Sequence, residues 1–280
     1  MTPLAALERA VRQSLDFTGF EDDYLHRASR EDAWGRVRGR DRIRDLALTR
    51  LAEEPAGEPV IEADCADGDT SMIAFATEAG WRGHRWAVRE DERIAADIEV
   101  LDGAARCRAL GRDPADEARR QGQGAPVHAP LGELRPGRGQ LANAPLPVLP
   151  PSFPLRAQPG AAYLHALWNR RDLSLLAEDW RGPAEAGGGR AFVLQTLATL
   201  PDAVWMAERG ITNGNTTAIL WRLHGHHLGA GWGEPSGRRI RAIGSSVLTM
   251  EGERVLAEHT MIDTLAMQAT AWRPLVDYGG

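Results

Sequence analysis

Four histidines and three acidic residues in strand-like text are the side chains of this sequence whose spacing could do chemistry. His224, His226 and His227 fall within four residues, and His259 sits on a strand expected beside theirs. Together they offer a general base, an oxyanion donor or a metal set. No strong metal spacing is present, and a lone strand histidine is more often structural than catalytic. His224 and His226 share a face if the strand runs regularly through Gly225, whereas glycine often marks a bulge. Asp97 and Glu99 stand two apart, so on a strand they point to one side. Paired carboxyls in a partly dry pocket push one pKa upward, the condition for acid/base work near neutrality. The competing reading has that pocket filled and both acids facing water. The same alternation sets Glu258 beside Thr260 and turns His259 to the opposite face. Trp168, Trp180, Trp205, Trp221 and Trp232 could line a pocket for a ring-shaped ligand, although core packing accounts for at least half of them. Arg238 or Arg239 could clamp an anionic group, against the commoner case of a surface arginine flanking a turn.

The elements that must position these residues come in two sets. Asp67-Gly68-Asp69-Thr70-Ser71, opening an apolar run through Met72, Ile73 and Phe75, is answered by Asn213-Gly214-Asn215-Thr216-Thr217 before Ile219, Leu220 and Trp221. Asp91-Glu92-Arg93-Ile94, with Asp102 ahead of a helical stretch, is answered by Gly252-Glu253-Arg254-Val255 with Asp263 ahead of another. Each set spells turn, strand, turn, strand and closing helix, so the chain reads as two copies of one α+β unit. The offset between copies grows by about fifteen residues between these blocks, so the second copy retains a segment, His224 to about Ser245, that the first lacks. Leu4, Leu7, Val11 and Leu15 recur at helical spacing, and Ile43, Leu46 and Ala47 suggest a second helix after Gly39. Asp102 and Asp263 read as N-caps, whose carboxylates accept bonds from free first-turn amides. From Gln121 to about Pro159 the text is rich in Gly, Pro and Ala without a period. The expected organisation is a first unit over 1–120, a linker over 121–159 and a second unit over 160–280.

Composition excludes several classes. The 280 residues are 43% hydrophobic and 26% charged, ordinary for a globular chain, and the length suits two units of a hundred-odd residues. Lysine is absent, which excludes Schiff-base chemistry and a Gly-Lys-Ser/Thr phosphate loop. A net charge of −6 argues against nucleic acid as a partner, and the strip Arg36, Arg38, Arg40, Arg42, Arg44 is interrupted by Asp41 as a solvated face would be. No apolar run reaches the ~18 residues of a membrane helix and no signal-peptide pattern opens the chain, so a cytoplasmic location is the expectation. Cys65 and Cys107 lie outside any C-x-x-C pattern and read as small buried hydrophobes.

The second copy resembles a known family. Trp168-Asn169-Arg170-Arg171-Asp172-Leu173 is similar to the W-N-x-x-D-L first helix of the SnoaL-like polyketide and ester cyclases of the NTF2-like superfamily. Leu197 to Asp202 resembles the L-x-x-x-F-P-D block, Trp221 to Gly229 resembles W-x-x-x-G-T-H-x-G, and Pro235 to Arg239 resembles P-T-G-R-x. Glu251 to Asp263 resembles the last strand before the terminal helix, and the first copy is similar more faintly. The resemblance implies an α+β fold of two tandem cones, each a curved mostly antiparallel sheet packed on helices, paired sheet to sheet as an intramolecular pseudo-dimer. It implies a pocket that works without metal or organic cofactor on a small hydrophobic polyketide-like or ester molecule, through an acid/base side chain on the last strand. Thr260 stands at that acid's position, and a threonine cannot be a general base near neutrality. Glu258 is then the surviving carboxylate, with His227, which falls on the family's recurrent histidine, and His259 as further proton-handling candidates. Trp168, Trp221, His224, Trp232 and Thr260 are the expected pocket lining. The alternative is a binding or interaction protein that kept the pocket and lost the chemistry. With the family's pairing face occupied internally, the chain is expected to be monomeric, or to form higher oligomers through other surfaces.

Overall fold

A computed structural model describes residues 1–14, 20–54, 57–123, 127–128, 144–184, 186–273 and 275–276. Helix α1 (Pro3–Ser14) buries Leu4, Leu7 and Val11, while Leu15 lies outside the described residues. After α2 (Phe20–Asp23) come β1 (Tyr24–Asp32), β2 (Gly35–Arg38) and α3 (Arg40–Leu51), which buries Ile43, Ala47 and Leu51. Strands β3 (Val60–Asp67), β4 (Thr70–Ala76), β5 (Arg82–Glu90) and β6 (Arg93–Leu101) follow, then α4 (Gly103–Ala109) and α5 (Pro114–Gln123). Strand β7 is the two-residue Val127–His128. The expected linker is trimmed at both ends, because α5 runs to Gln123 and α6 (Gln158–Trp168) starts inside it; Pro130 and Pro136 fall outside the described residues. Then come β8 (Asp179–Arg181), α7 (Gly189–Thr199), β9 (Val204–Asn213), β10 (Thr216–His226), β11 (Arg239–Glu251), β12 (Arg254–Ile262), α8 (Thr264–Trp272) and β13 (Leu275–Val276).

The two large sheets have matching orders, β2-β1-β6-β5-β4-β3 and β8-β12-β11-β10-β9. All neighbours are antiparallel except β1 with β6 and β8 with β12, which are parallel in both units. Two-residue turns close β3/β4, β9/β10 and β11/β12, with Gly68, Gly214 and Gly252 at φ of +56°, +60° and +61°. The β5/β6 hairpin turns through Asp91 and Glu92 at φ +50° and +65°, a left-handed pair carried without glycine. The segment retained by the second unit is visible as longer strands and a longer connection. β10 and β11 have 11 and 13 residues against 7 and 9 for β4 and β5. Residues 227–238 join β10 to β11, where 77–81 suffice between β4 and β5.

Each sheet has an inner face packed on its own helices and an outer face packed on the other unit. Met72, Trp86, Ile98 and Val100 of the first unit form one buried cluster with Ile211, Ala218, Leu220, Ile243 and Met261 of the second. Across it His84 Nδ1 lies 2.9 Å from Ser245 Oγ, and Trp86 Nε1 donates to the same hydroxyl at 2.9 Å. The pseudo-dimer is therefore a sheet-on-sheet sandwich within one chain. Both closing helices are capped as expected, Asp102 accepting from Ala105 N at 2.9 Å and Asp263 from Ala266 N at 3.0 Å. Asp102 also accepts from Ala184 N of the second unit at 2.7 Å, and a Cβ on Gly103 would meet Asp263 Oδ1 at 2.4 Å. Each cap thus also touches the opposite unit. Cys65 and Cys107 are free and buried, and burial raises each thiol to about 11.

Candidate functional site

The inner face of the second sheet carries a buried polar chain that ends on Glu258. Alternation along β12 brings Glu258 and Thr260 inward, both almost fully buried, and turns His259 outward. Trp221 Nε1 donates to Ser246 Oγ at 3.0 Å, and Ser246 Oγ lies 2.5 Å from Thr260 Oγ1, which in turn donates to Glu258 Oε1. Tyr163 Oη on α6 donates to Oε2 at 2.6 Å, and Trp180 supplies a further bond. Burial raises the Glu258 pKa, the bonds from Thr260, Tyr163 and Trp180 oppose this, and the net direction is upward. No cation contributes, so this carboxyl is held by neutral donors alone. Room for the Trp180 and Trp221 rings comes from glycine: a Cβ on Gly182 would meet Trp180 at 2.0 Å, and one on Gly244 would meet Trp221 at 2.2 Å.

Tyr163 links this chain to open space. With Leu155, Leu175, Leu176, Val255 and Leu256 it lines a groove of about 1060 Å³. Leu155, Leu175 and Leu256 are exposed, so the groove offers an apolar wall to solvent. Trp168 and Trp221 are packed 5.8 Å apart behind it and belong to the core. Tyr163 was not singled out in the sequence; its place on the buried side of α6, four residues before Leu167, was the available signal.

The histidines do not join Glu258. Glu258 pairs with Leu248 and Leu248 with Thr217, ten residues before His227, a strand path of roughly 30 Å. His227 instead contacts Ser236 (Nδ1 to Oγ, 3.0 Å) and the ring of Trp232 at 5.7 Å. Burial lowers its pKa; the Gly229 carbonyl raises it and Arg238 lowers it further. Trp232 lines a separate cavity of about 230 Å³ with Phe192, Gln195 and Gln268. The register of β10 and β11 runs unbroken through Gly225, so His224 and His226 share the face opposite Trp221. That face carries Arg222, paired with Glu31 of the first unit at 2.9 Å, which removes His224 from the expected lining. His226 Nδ1 lies 2.6 Å from Asp202 Oδ2. His259 is in the sheet-on-sheet contact, edge to face with His84 at 4.7 Å and 3.7 Å from Glu62. Among the described residues no group of three or more His, Cys, Asp or Glu could hold a metal ion.

The first unit corrects both readings of Asp97 and Glu99. Neither acid faces water and neither pKa is raised. Asp97 accepts from Tyr24 Oη at 2.5 Å and from Arg85 Nε and Nη2 at 3.1 and 3.0 Å. Glu99 meets Arg30 at 2.5 Å and Arg50 at 3.2 Å. Glu8 bridges Arg12 and Arg85. Burial pushes both strand acids up, but Arg85 and Arg30 on Asp97, and Arg30, Arg50 and Arg12 on Glu99, hold them below the usual carboxylate range. Glu99 borders two spaces, one of about 30 Å³ with Glu8 and Arg85 and one of about 220 Å³ with Asp32, Arg50 and Asp263, and Asp97 lines neither. Gly83 faces Leu101 just before Asp102, as Gly244 faces Ile262 just before Asp263. Asp97 therefore matches Glu258, Arg85 matches Ser246 and His84 matches Ser245. One inner face neutralises its acid with arginine and the other with hydroxyls and a phenol. On the surface strip, Arg36 pairs with Glu31 and Arg40 with Asp41, as a solvated face does.

No family model and no curated protein matches this sequence. Solved structures are similar to parts of it. IdmH of Streptomyces antibioticus, provisionally named a polyketide cyclase, is 21% identical, covering 40% of this chain and 97% of that chain at a TM-score of 0.34. A SnoaL-like protein of unknown function from Burkholderia thailandensis is 15% identical, covering 36% of this chain and 98% of its own at 0.32. A hypothetical protein with a ketosteroid isomerase-like fold from Catenulispora acidiphila, in complex with trimethylamine, is 14% identical, covering 40% and 95% at 0.34. No helix among the described residues is long and apolar enough to cross a membrane.

Proposed function

We propose that the second unit, over residues 160–280, binds a small hydrophobic molecule of polyketide-like or ester type in the groove beside Tyr163 and transfers a proton at its carbonyl without a cofactor. The observation that carries this is the Tyr163 phenol, which lies in the groove wall and reaches the buried Glu258 at 2.6 Å. Burial raises the Tyr163 pKa well above its ordinary value and Glu258 raises it further, so the phenol keeps its proton, which it donates to Glu258; when Glu258 takes up a proton that bond reverses, Glu258 donates to the phenol oxygen, and the Tyr163 O–H is released to a substrate oxygen. Glu258, uncompensated by any cation, is the proton reservoir behind it. Cyclisation and isomerisation both need this pairing of a donor to oxygen with a nearby base.

A second reading, binding without turnover, has its own support: both Glu258 oxygens are engaged and the residue is 2% exposed. Exchange of α-protons into D2O, followed by NMR over a panel of cyclic ketones, separates the two. A turning-over site accelerates exchange, and Tyr163→Phe or Glu258→Gln slows it by about 10²-fold or more with little change in affinity. Binding that survives in all three proteins with no accelerated exchange leaves the second reading. Affinity unchanged by Leu175→Glu removes the groove from both.

A further inference from the structure

His227 and Arg238 face one another where β10 gives way to the loop before β11. His227 N donates to Arg238 O at 2.8 Å and Gly237 N donates to His227 O at 2.9 Å. Gly237, at φ +66°, and Arg238 thus both stand opposite His227, a bulge that leaves the Arg238 guanidinium close enough to disfavour a charged ring. Ser236 N donates to His227 Nδ1 at 3.3 Å. A backbone amide can only donate, so Nδ1 is the acceptor and the ring proton sits on Nε2. That Nε2 is buried without a hydrogen-bond partner, and His227 is 1% exposed. The Gly229 carbonyl is near enough to favour ring protonation, yet it does not meet hydrogen-bond geometry with Nε2. Arg238 Nε and Nη1 are buried and equally unmet. No carboxylate is among the groups that shift either residue. Three N–H groups of these two residues are thus buried with no carboxylate beside them.

We infer that His227 and Arg238 form an oxyanion site, distinct from the groove, that takes a carboxylate or phosphate group through His227 Nε2–H and the Arg238 Nε–H and Nη1–H edge. A ligand that only accepts is the complement of a cluster that only donates, and a guanidinium edge matches two oxygens of one such group. The site goes beyond the reaction proposed above, since it lies at the opposite end of the sheet from Glu258.

The test titrates acetate and, separately, inorganic phosphate into the full chain at constant ionic strength balanced with chloride. Long-range proton–nitrogen NMR follows the His227 ring. Saturable movement of the Nε2 signal is expected with at least one anion, and Arg238→Gln should weaken the apparent affinity about tenfold or more. Saturation by phosphate alone, or by acetate alone, assigns the oxyanion class. A linear drift with both anions, or saturation of equal affinity in Arg238→Gln, overturns the proposal. If Arg238→Gln does not fold, the wild-type titration still decides, because a buried ring that no anion moves saturably is no site.

Discussion

Asp97→Asn tests whether the first unit is held by its buried ion network. Asp97 is fully buried, accepts three hydrogen bonds from Tyr24 and Arg85, and lies 3.6 Å from Arg30. Asparagine keeps the shape but turns an amide NH2 toward donors and leaves the guanidinium groups short of one negative charge. Removing one partner of such a buried pair costs about 3–5 kcal/mol. At about 2–4 °C per kcal/mol for a chain of this size, the melting transition falls by roughly 6–20 °C. The folded Asp97 pKa is depressed, so its contribution is present above the unfolded value of about 3.9 and is lost as pH falls through the folded value. The gap between wild type and Asp97→Asn in urea unfolding should therefore be constant from pH 8 to pH 5 and close only below about pH 4. Arg85 keeps Glu8 as a partner in Asp97→Asn, so adding Arg85→Met breaks a second buried pair and should lower stability further. A single-variant loss under about 1 kcal/mol would refute the reasoning.

Three further outcomes are expected. Burial, and then His259, lower the His84 pKa, so stability falls as pH drops below about 6.5, by up to about 1.4 kcal/mol per pH unit for that residue. His84→Gln should flatten the dependence of the urea midpoint between pH 7.5 and 5.5. Gly244→Ala should displace the Trp221 ring and lower stability by about 1–3 kcal/mol, read by unfolding and by loss of the Trp221 indole N–H bond in NMR. Light scattering should give the mass of one chain, 30.5 kDa, or a multiple built without the internal sheet contact; pairing between chains through that face would contradict the arrangement.

The hairpins and caps were legible because their signals are local. Gly214 and Gly252 supply left-handed turn residues, and Asp102 and Asp263 need only amides three residues on. The inward aim of Glu258 followed from alternation for the same reason. What alternation cannot supply is distance along a strand: His227 and Glu258 belong to one sheet yet stand at opposite ends, a fact fixed by the register of β10, β11 and β12. The environment of Asp97 and Glu99 was hidden more deeply. Arg12, Arg30, Arg50 and Arg85 reach them from α1, β1, α3 and β5, and no spacing in the sequence announces that convergence. Two acids on one strand face predicted repulsion, and four distant arginines reversed its sign.

The contact of His84 with Ser245 joins two positions that correspond between the units. In a dimer of identical chains, such a contact would lie on the symmetry axis and set a residue against its own copy, histidine on histidine or serine on serine. Any substitution there would be made on both sides at once. Covalent fusion releases that constraint. A bulky ring can rise on one side while a small hydroxyl recedes on the other, and the partner faces can then drift as a lock and key rather than as mirror roles. The same freedom extends inward, where one of two corresponding positions holds Asp97 among arginines and the other Glu258 among neutral donors. A single chain can thus brace one inner face with ion pairs and hold the corresponding acid of the other among neutral donors, a difference that a symmetric pair of identical subunits cannot encode.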